Sequence, residues 1–133
     1  MRIPPPPVAV VIGFIDAINH GDVARLAALM TTDHQLRVLD EAPLAGRAAN
    51  VNAWRGYTTA FPEYVIYPHH IVDRDDDVVV LGHTTGSHLG LPDDDEGNMT
   101  VIWRAEVDDG RLTLWQIIED TPERRAELGL SPR

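Results

Sequence analysis

The chain has 133 residues, no cysteine and a formal net charge of −10 with histidine neutral. Its length suits one domain that buries about two thirds of its unfolded surface, and 44% hydrophobic with 24% charged residues is ordinary globular composition. The acidic balance disfavours nucleic acid and anionic membranes, which call for Lys/Arg clusters; the missing cysteine excludes disulfides and thiolate chemistry and fits a cytoplasmic setting.

The chain opens with Pro4-Pro5-Pro6-Pro7. Four prolines replace the apolar core of a signal peptide, so residues 1–7 read as a polyproline-II tail with Pro7 near the first helical turn. Residues 8–133 then form a single domain. Val8, Val11, Ile12, Ile15 and Ile18 recur at helical spacing, with Phe14 as a second buried flank. His20-Gly21 ends this helix, and Asp22 caps a second over 23–30. Residues 34–40 form a strand with His34, Leu36, Val38 and Asp40 on one face. A third helix runs over 48–61, stopped by Pro62. The strand at 63–72 contains Pro68, which implies an edge position or a bulge.

Three further strands follow, at 78–88, 99–107 and 111–119. The last two are joined by Asp108-Asp109-Gly110, a strong hairpin signal. Acidic residues gather in the predicted turns 73–77 and 93–96, as a solvated rim; Asp93-Asp94-Asp95-Glu96 lacks the alternating ligands of a calcium loop. A short helix from Pro122 to Leu128, capped by Thr121, closes the chain. No apolar run is long enough to cross a membrane. Helices followed by antiparallel strands argue an α+β fold. Three N-terminal helices on a strongly curved, mainly antiparallel sheet make a cone-shaped barrel whose mouth is a small-molecule site.

Four phrases carry a family resemblance: Phe14-Ile15-Asp16-Ala17-Ile18-Asn19-His20-Gly21-Asp22, Leu44-Ala45-Gly46-Arg47, Thr85-Gly86-Ser87-His88-Leu89-Gly90-Leu91-Pro92 and Asp109-Gly110-Arg111-Leu112. With the order of elements, they make the chain resemble the SnoaL-like polyketide cyclases of the nuclear-transport-factor-2-like superfamily, over about residues 8–128. The resemblance implies a hydrophobic pocket and acid–base chemistry on a carbonyl compound. The acid usual in the last strand is replaced by Ile117. The Arg-x-Asp pair of the epoxide hydrolases is absent near Gly82 to Thr85, and His83 is displaced by one residue from the family's histidine phrase. Asp40 stands where ketosteroid-isomerase-like enzymes hold their base, whereas their oxyanion-hole tyrosine has Phe14 as its nearest counterpart.

These readings make Asp40, His83 and Glu119 the catalytic candidates. Asp40 would move a proton α to a carbonyl, His83 would donate to the developing enolate, and Glu119 would be a second acid at the mouth. Each also has a bland reading: a loop cap, a core histidine, a solvated strand end. Phe14, Trp54, Tyr57, Tyr67, Trp103, Trp115 and Ile117 are the expected substrate-binding wall. No cofactor or metal is implied: no Gly-rich phosphate loop follows a strand, and His34, His69, His70 and His83 lack a metal-ligand spacing. The leading function is an isomerase or cyclase for a hydrophobic, carbonyl-bearing natural-product intermediate. The alternatives are a non-catalytic ligand-binding or assembly domain, and an epoxide hydrolase with a rearranged acid set, Asp40 with Glu119. A homodimer is expected, because an uncovered apolar sheet face is costly.

Overall fold

The computed structural model describes residues 3–131. Met1 and Arg2 of the proline-rich tail, and the last two residues of the expected domain, lie outside the described residues. Helix α1 (Pro7–Asn19) starts on Pro7, whose missing N–H costs nothing in a first turn. Ahead of it, Pro5 lies against Gly110 of the last hairpin. Val10, Val11, Phe14, Ile15, Ala17 and Ile18 are buried, while Ile12, read as part of the apolar stripe, is half exposed. Helix α2 (Val23–Ala28) is capped by the Asp22 side chain, which accepts from the Arg25 amide. It is shorter than read: Met30 already belongs to strand β1 (Met30–Val38), whose Thr31-Thr32 pair favours extended backbone.

The two-residue strand β2 (Leu44–Ala45) leads into α3 (Arg47–Ala60), and β3 (Val65–Asp73), β4 (Val78–Thr85), β5 (Val101–Asp108) and β6 (Arg111–Glu119) complete one sheet. Its strand order is β2-β1-β6-β5-β4-β3, with β1 and β6 parallel and the other neighbours antiparallel. The β5–β6 turn has Asp109 and Gly110 both at positive φ, as a two-residue hairpin needs. Pro68 lies on the edge strand β3 at a register shift, so both readings of that proline hold together. Strand β4 ends at Thr85, three residues before the expected end, where Gly86 follows at φ +69°. The acidic run, read as a turn, forms a short helix α4 (Asp93–Gly97). A last helix α5 (Pro122–Glu127) is capped by Thr121.

The architecture is the expected α+β cone: a curved six-stranded mixed sheet with helices on its concave side. Alternation assigns the faces. Ile66, Val78, Val80, Trp103, Ala105 and Trp115 pack under α1 on the concave side. Val79, Ile102 and Ile118 face the other way and are covered by Leu128 and Leu130 of the chain's own C-terminal segment. The convex face is therefore partly closed within one chain. Burying each of these aliphatic side chains contributes about 1.5–3 kcal/mol. The α1 end is tied to β3 by Asn19, whose amide donates to the Ile66 carbonyl at 3.0 Å and accepts from the Ile66 amide at 2.8 Å.

Close backbone approach at the bulge requires Gly82. A Cβ there would meet the Tyr67 carbonyl oxygen at 2.2 Å, and neither backbone has room to yield. Gly82→Ala should lower unfolding free energy by about 2–4 kcal/mol, measured by urea denaturation. Unchanged stability would show that β3 is not held as described.

Candidate active site

Two irregularities in the sheet coincide at one place and shape the floor of the cone. Along β1, Met30 pairs with Leu112 but Gln35 with Leu114, so four residues of β1 are opposed by one of β6. Along β5 and β6, Thr113 is the extra residue between the pairs Glu106–Leu114 and Val107–Leu112. Bulges bend a strand and re-aim its side chains. Here they turn Leu112 inward and swing His34 into the core, where it is 0% exposed. Its Nδ1 lies 2.8 Å from the Leu112 carbonyl oxygen. A carbonyl only accepts, so Nδ1 carries the proton and Nε2 holds a lone pair. Nε2 is buried with no partner. Burial pushes the His34 pKa down, opposed by the Leu112 hydrogen bond and the charge of Asp33.

Phe14 sits at the centre of this floor. Its ring is 6.0 Å from His34, 5.1 Å from Trp115 and 6.5 Å, edge-on, from Trp54; Trp103 stacks at 6.3 Å from Trp115. The three indole nitrogens are buried without partners, and so is Asn50 Oδ1. The Asn50 amide nitrogen is engaged with the carbonyls of His34, Leu44 and Gly46. Above the floor the wall becomes partly exposed: Leu36, Val51, Tyr57, Tyr64, Val101 and Ile117 pack on the core from there.

Glu96 of α4 packs against the end of β4. It is 1% exposed, accepts from the Thr84 hydroxyl and takes a long 3.4 Å bond from the Ser87 amide. Thr84 follows Val80 and Gly82 on the concave side of β4. The charge of Glu96 acts on both nearby phenols. Tyr57 is raised above its ordinary value by burial, against a hydrogen bond from the His88 amide, with Glu96 adding to the rise; Tyr64 is raised strongly by burial, Tyr57 and Glu96. The Tyr57 hydroxyl lies 2.9 Å from His88 Nδ1. Asp77 and Arg125, by contrast, are buried in ion pairs, with Arg74 and Arg104 and with Asp120.

The expected site residues divide. Phe14, Trp54, Trp103, Trp115, Tyr57 and Ile117 come together in the cone. Asp40 does not: β1 stops at Val38, Leu39 takes φ +50°, and Asp40 is exposed in the following turn. Glu119 is on the concave side by alternation but exposed at the strand end. Asp40 and Glu119 line a depression of about 140 Å³ with Arg124, and Ile117 lines it as well. His83 and Tyr67 point to the convex side, stacked on each other at 4.6 Å, with His69 Nε2 at 2.6 Å from His83 Nδ1. The one-residue displacement of His83 turns its side chain away from the cone, and Tyr67 follows because the two are register partners. Among the described residues no group of three or more His, Cys, Asp or Glu is placed to hold a metal, and no helix is long and apolar enough to cross a membrane. His34 was legible as a neighbour of Leu36 on one strand face. The burial of Glu96 was not, because four consecutive acids look like a solvated turn.

A family model described as a SnoaL-like domain matches residues 11–115, so the chain belongs to the SnoaL-like family. Solved structures share the fold. A proposed polyketide cyclase of Sinorhizobium meliloti aligns with TM-score 0.68 at 24% identity, over 82% of this chain and 93% of that one. IdmH, a proposed polyketide cyclase of Streptomyces antibioticus, aligns with TM-score 0.66 at 25% identity, over 93% and 99%. An epoxide hydrolase of the LEH-like type from M. tuberculosis aligns with TM-score 0.68 at 18% identity, over 86% and 82%. No curated protein matches the chain in sequence.

Two outcomes follow from the buried groups. Because burial lowers the His34 pKa below 6.5, the unfolded chain binds the proton more tightly. The stabilisation is complete above about pH 6.5 and is lost as pH falls from there through the folded value. Thermal melts across that window should show this acid-side loss, and His34→Gln should remove part of it. Separately, Glu96→Leu should cost about 2–3 kcal/mol by stranding the Thr84 hydroxyl and Ser87 amide. Adding Thr84→Val should cost less than the sum of the two single changes, by about 1 kcal/mol in a double-mutant cycle.

Proposed function

We propose that the chain is a cofactor-independent isomerase or cyclase acting on a hydrophobic, carbonyl-bearing intermediate of polyketide type, bound in the cone. One observation carries this reading: five buried polar atoms, namely His34 Nε2, Asn50 Oδ1 and three indole nitrogens, have no partner, and His34, Trp54 and Trp115 all lie against Phe14. Each such atom costs about 1–3 kcal/mol, and native interiors hold few of them. A guest bearing carbonyl and hydroxyl groups relieves that cost, the carbonyl by accepting from an indole and the hydroxyl by donating to His34 Nε2 or Asn50 Oδ1. Indole N–H groups only donate, so they suit a carbonyl oxygen, and suit it better as it gains charge on the way to an enolate. Rigid aromatic walls also favour catalysis by shape, holding a flexible substrate in a reactive pose. Family membership and the cyclase and hydrolase neighbours support the class, while the fold leaves the reaction open.

A non-catalytic binding or assembly domain is the second reading. It is favoured by the exposure of both Asp40 and Glu119 and by the burial of Trp103 and Trp115 in the core. An epoxide hydrolase built on Asp40 and Glu119 would work in the small depression beside Arg124 and Ile117, which none of the tryptophans lines. As a partner we propose a second copy of the chain, paired through the part of the convex side that α5 leaves open, where Tyr67 is 41% exposed. The cysteine-free chain suits a reducing cytoplasm. Light scattering on the purified protein should give twice the chain mass; a monomer at micromolar concentration would refute the pairing.

The ketone 2-tetralone, a small bicyclic probe, should quench tryptophan fluorescence on binding. Trp103→Phe replaces the indole with a smaller aromatic ring that has no N–H, and should weaken affinity about five- to tenfold, the worth of one buried hydrogen bond. Asp40→Asn should leave affinity unchanged. Equal affinity for the Trp103 variant and the parent would remove the indole donors from the account.

A further inference from the structure

We propose that His34 is the proton acceptor of the cone and that the Leu112 carbonyl is its positioning group. This rests on the reading of the cone as a site for a carbonyl compound, and it places the base where no candidate was expected. The geometry has three parts. First, Nδ1 is pinned at 2.8 Å to a carbonyl that can only accept, which leaves the lone pair on Nε2. Second, Nε2 is buried, unpartnered and on the concave side with Phe14 and Trp115. A core histidine kept only for packing would be expected to satisfy both ring nitrogens; this one satisfies a single nitrogen. Third, the orientation is built into the sheet. The bulges at 31–34 and at Thr113 bring the Leu112 carbonyl to Nδ1, and the same carbonyl also takes the Thr31 hydroxyl at 3.3 Å. Bulges of this kind are over-represented beside active sites, where they re-aim a side chain.

The step is balanced without a co-reactant. The C–H bond α to a ketone breaks and its proton moves to Nε2. The bonding pair becomes the C=C bond of an enolate, and the carbonyl pair moves onto oxygen, where an indole N–H meets it. Return of the proton at the same carbon gives exchange; return at a conjugated position gives isomerisation. Of the charged groups around the ring, Asp33 lies on its own strand and favours the protonated form. Arg47 on α3 is turned to the Met30 carbonyl at 3.5 Å, α1 brings Phe14, and β6 brings Leu112 and Trp115. A neutral imidazole at neutral pH fits a base ready to accept.

The test uses the full chain, 15N labelling and 2-tetralone in D2O. Long-range 15N–1H correlation on the unliganded protein should show His34 protonated at Nδ1 alone at neutral pH. Tetralone should quench tryptophan, and its α-protons should exchange faster than in buffer, with a rate that rises with pH and levels off above the His34 pKa. His34→Gln should slow the exchange about a hundredfold, while exposed His70→Gln should not. A proton on Nε2 overturns the proposal whether or not the variant folds. Exchange that survives His34→Gln overturns it and leaves the cone as the reaction site. Quenching without exchange overturns it and favours the binding-domain reading. Neither quenching nor exchange removes the carbonyl site itself, and the base with it.

Discussion

Phe14 is the contact on which the interior depends. It sits in the middle of α1, and its ring touches side chains from three other elements: His34 of β1, Trp54 of α3 and Trp115 of β6. A helix laid across a bent sheet needs one large residue to fill the deepest part of the curve, because interiors tolerate little void. Phe14 fills it, and so fixes how far α1, α3 and the sheet stand apart. Three of the polar atoms left unmet, on His34, Trp54 and Trp115, belong to rings that lie against it. The fold thus uses an apolar residue to hold a polar shell in place, an arrangement that costs stability unless something else uses those atoms.

Much of this was readable before any coordinates. Helix caps at Asp22 and Thr121, the Asp109-Gly110 hairpin and the edge role of Pro68 are local chemistry, set by side-chain hydrogen bonds and by which residues accept positive φ. The alternation of His34, Leu36 and Val38, and of Trp115 and Ile117, placed those residues on shared faces. What alternation cannot supply is the count across a bulge. The extra residues in β1 and β6 shift the register by an amount that depends on the partner strand, so the pairing of His34 with the Leu112 carbonyl was not legible. Asp40 was misplaced for a related reason: a strand pattern extended by two residues carries it inward, whereas Leu39 at positive φ turns the chain out.

The mouth shows a second limit of sequence pattern. Asp93, Asp94, Asp95 and Glu96 have the same formal charge, and composition treats them alike. One turn of helix after Pro92 separates them. Three face solvent and Glu96 turns under the sheet to the Thr84 hydroxyl. Burying a carboxyl group without a cation is costly, and Glu96 has only a hydroxyl and a long amide bond to offset it. The gain goes to the segment between β4 and β5, which is held to the mouth at Glu96 and at the His88–Tyr57 contact. That segment carries Leu89, Leu91 and Met99, each more than a third exposed.

The two ends of the cone differ in their chemistry. Near the mouth, Tyr57 and Tyr64 are held neutral by burial and by Glu96, so they donate hydrogen bonds without releasing protons. At the floor, His34 is held neutral by burial and its free nitrogen accepts. The floor also holds the unpartnered indole N–H groups of Trp54, Trp103 and Trp115, so donors and an acceptor lie together there. A carboxylate at Ile117 would bring a charge against the apolar core, whereas a neutral imidazole at the floor supplies a lone pair without burying charge.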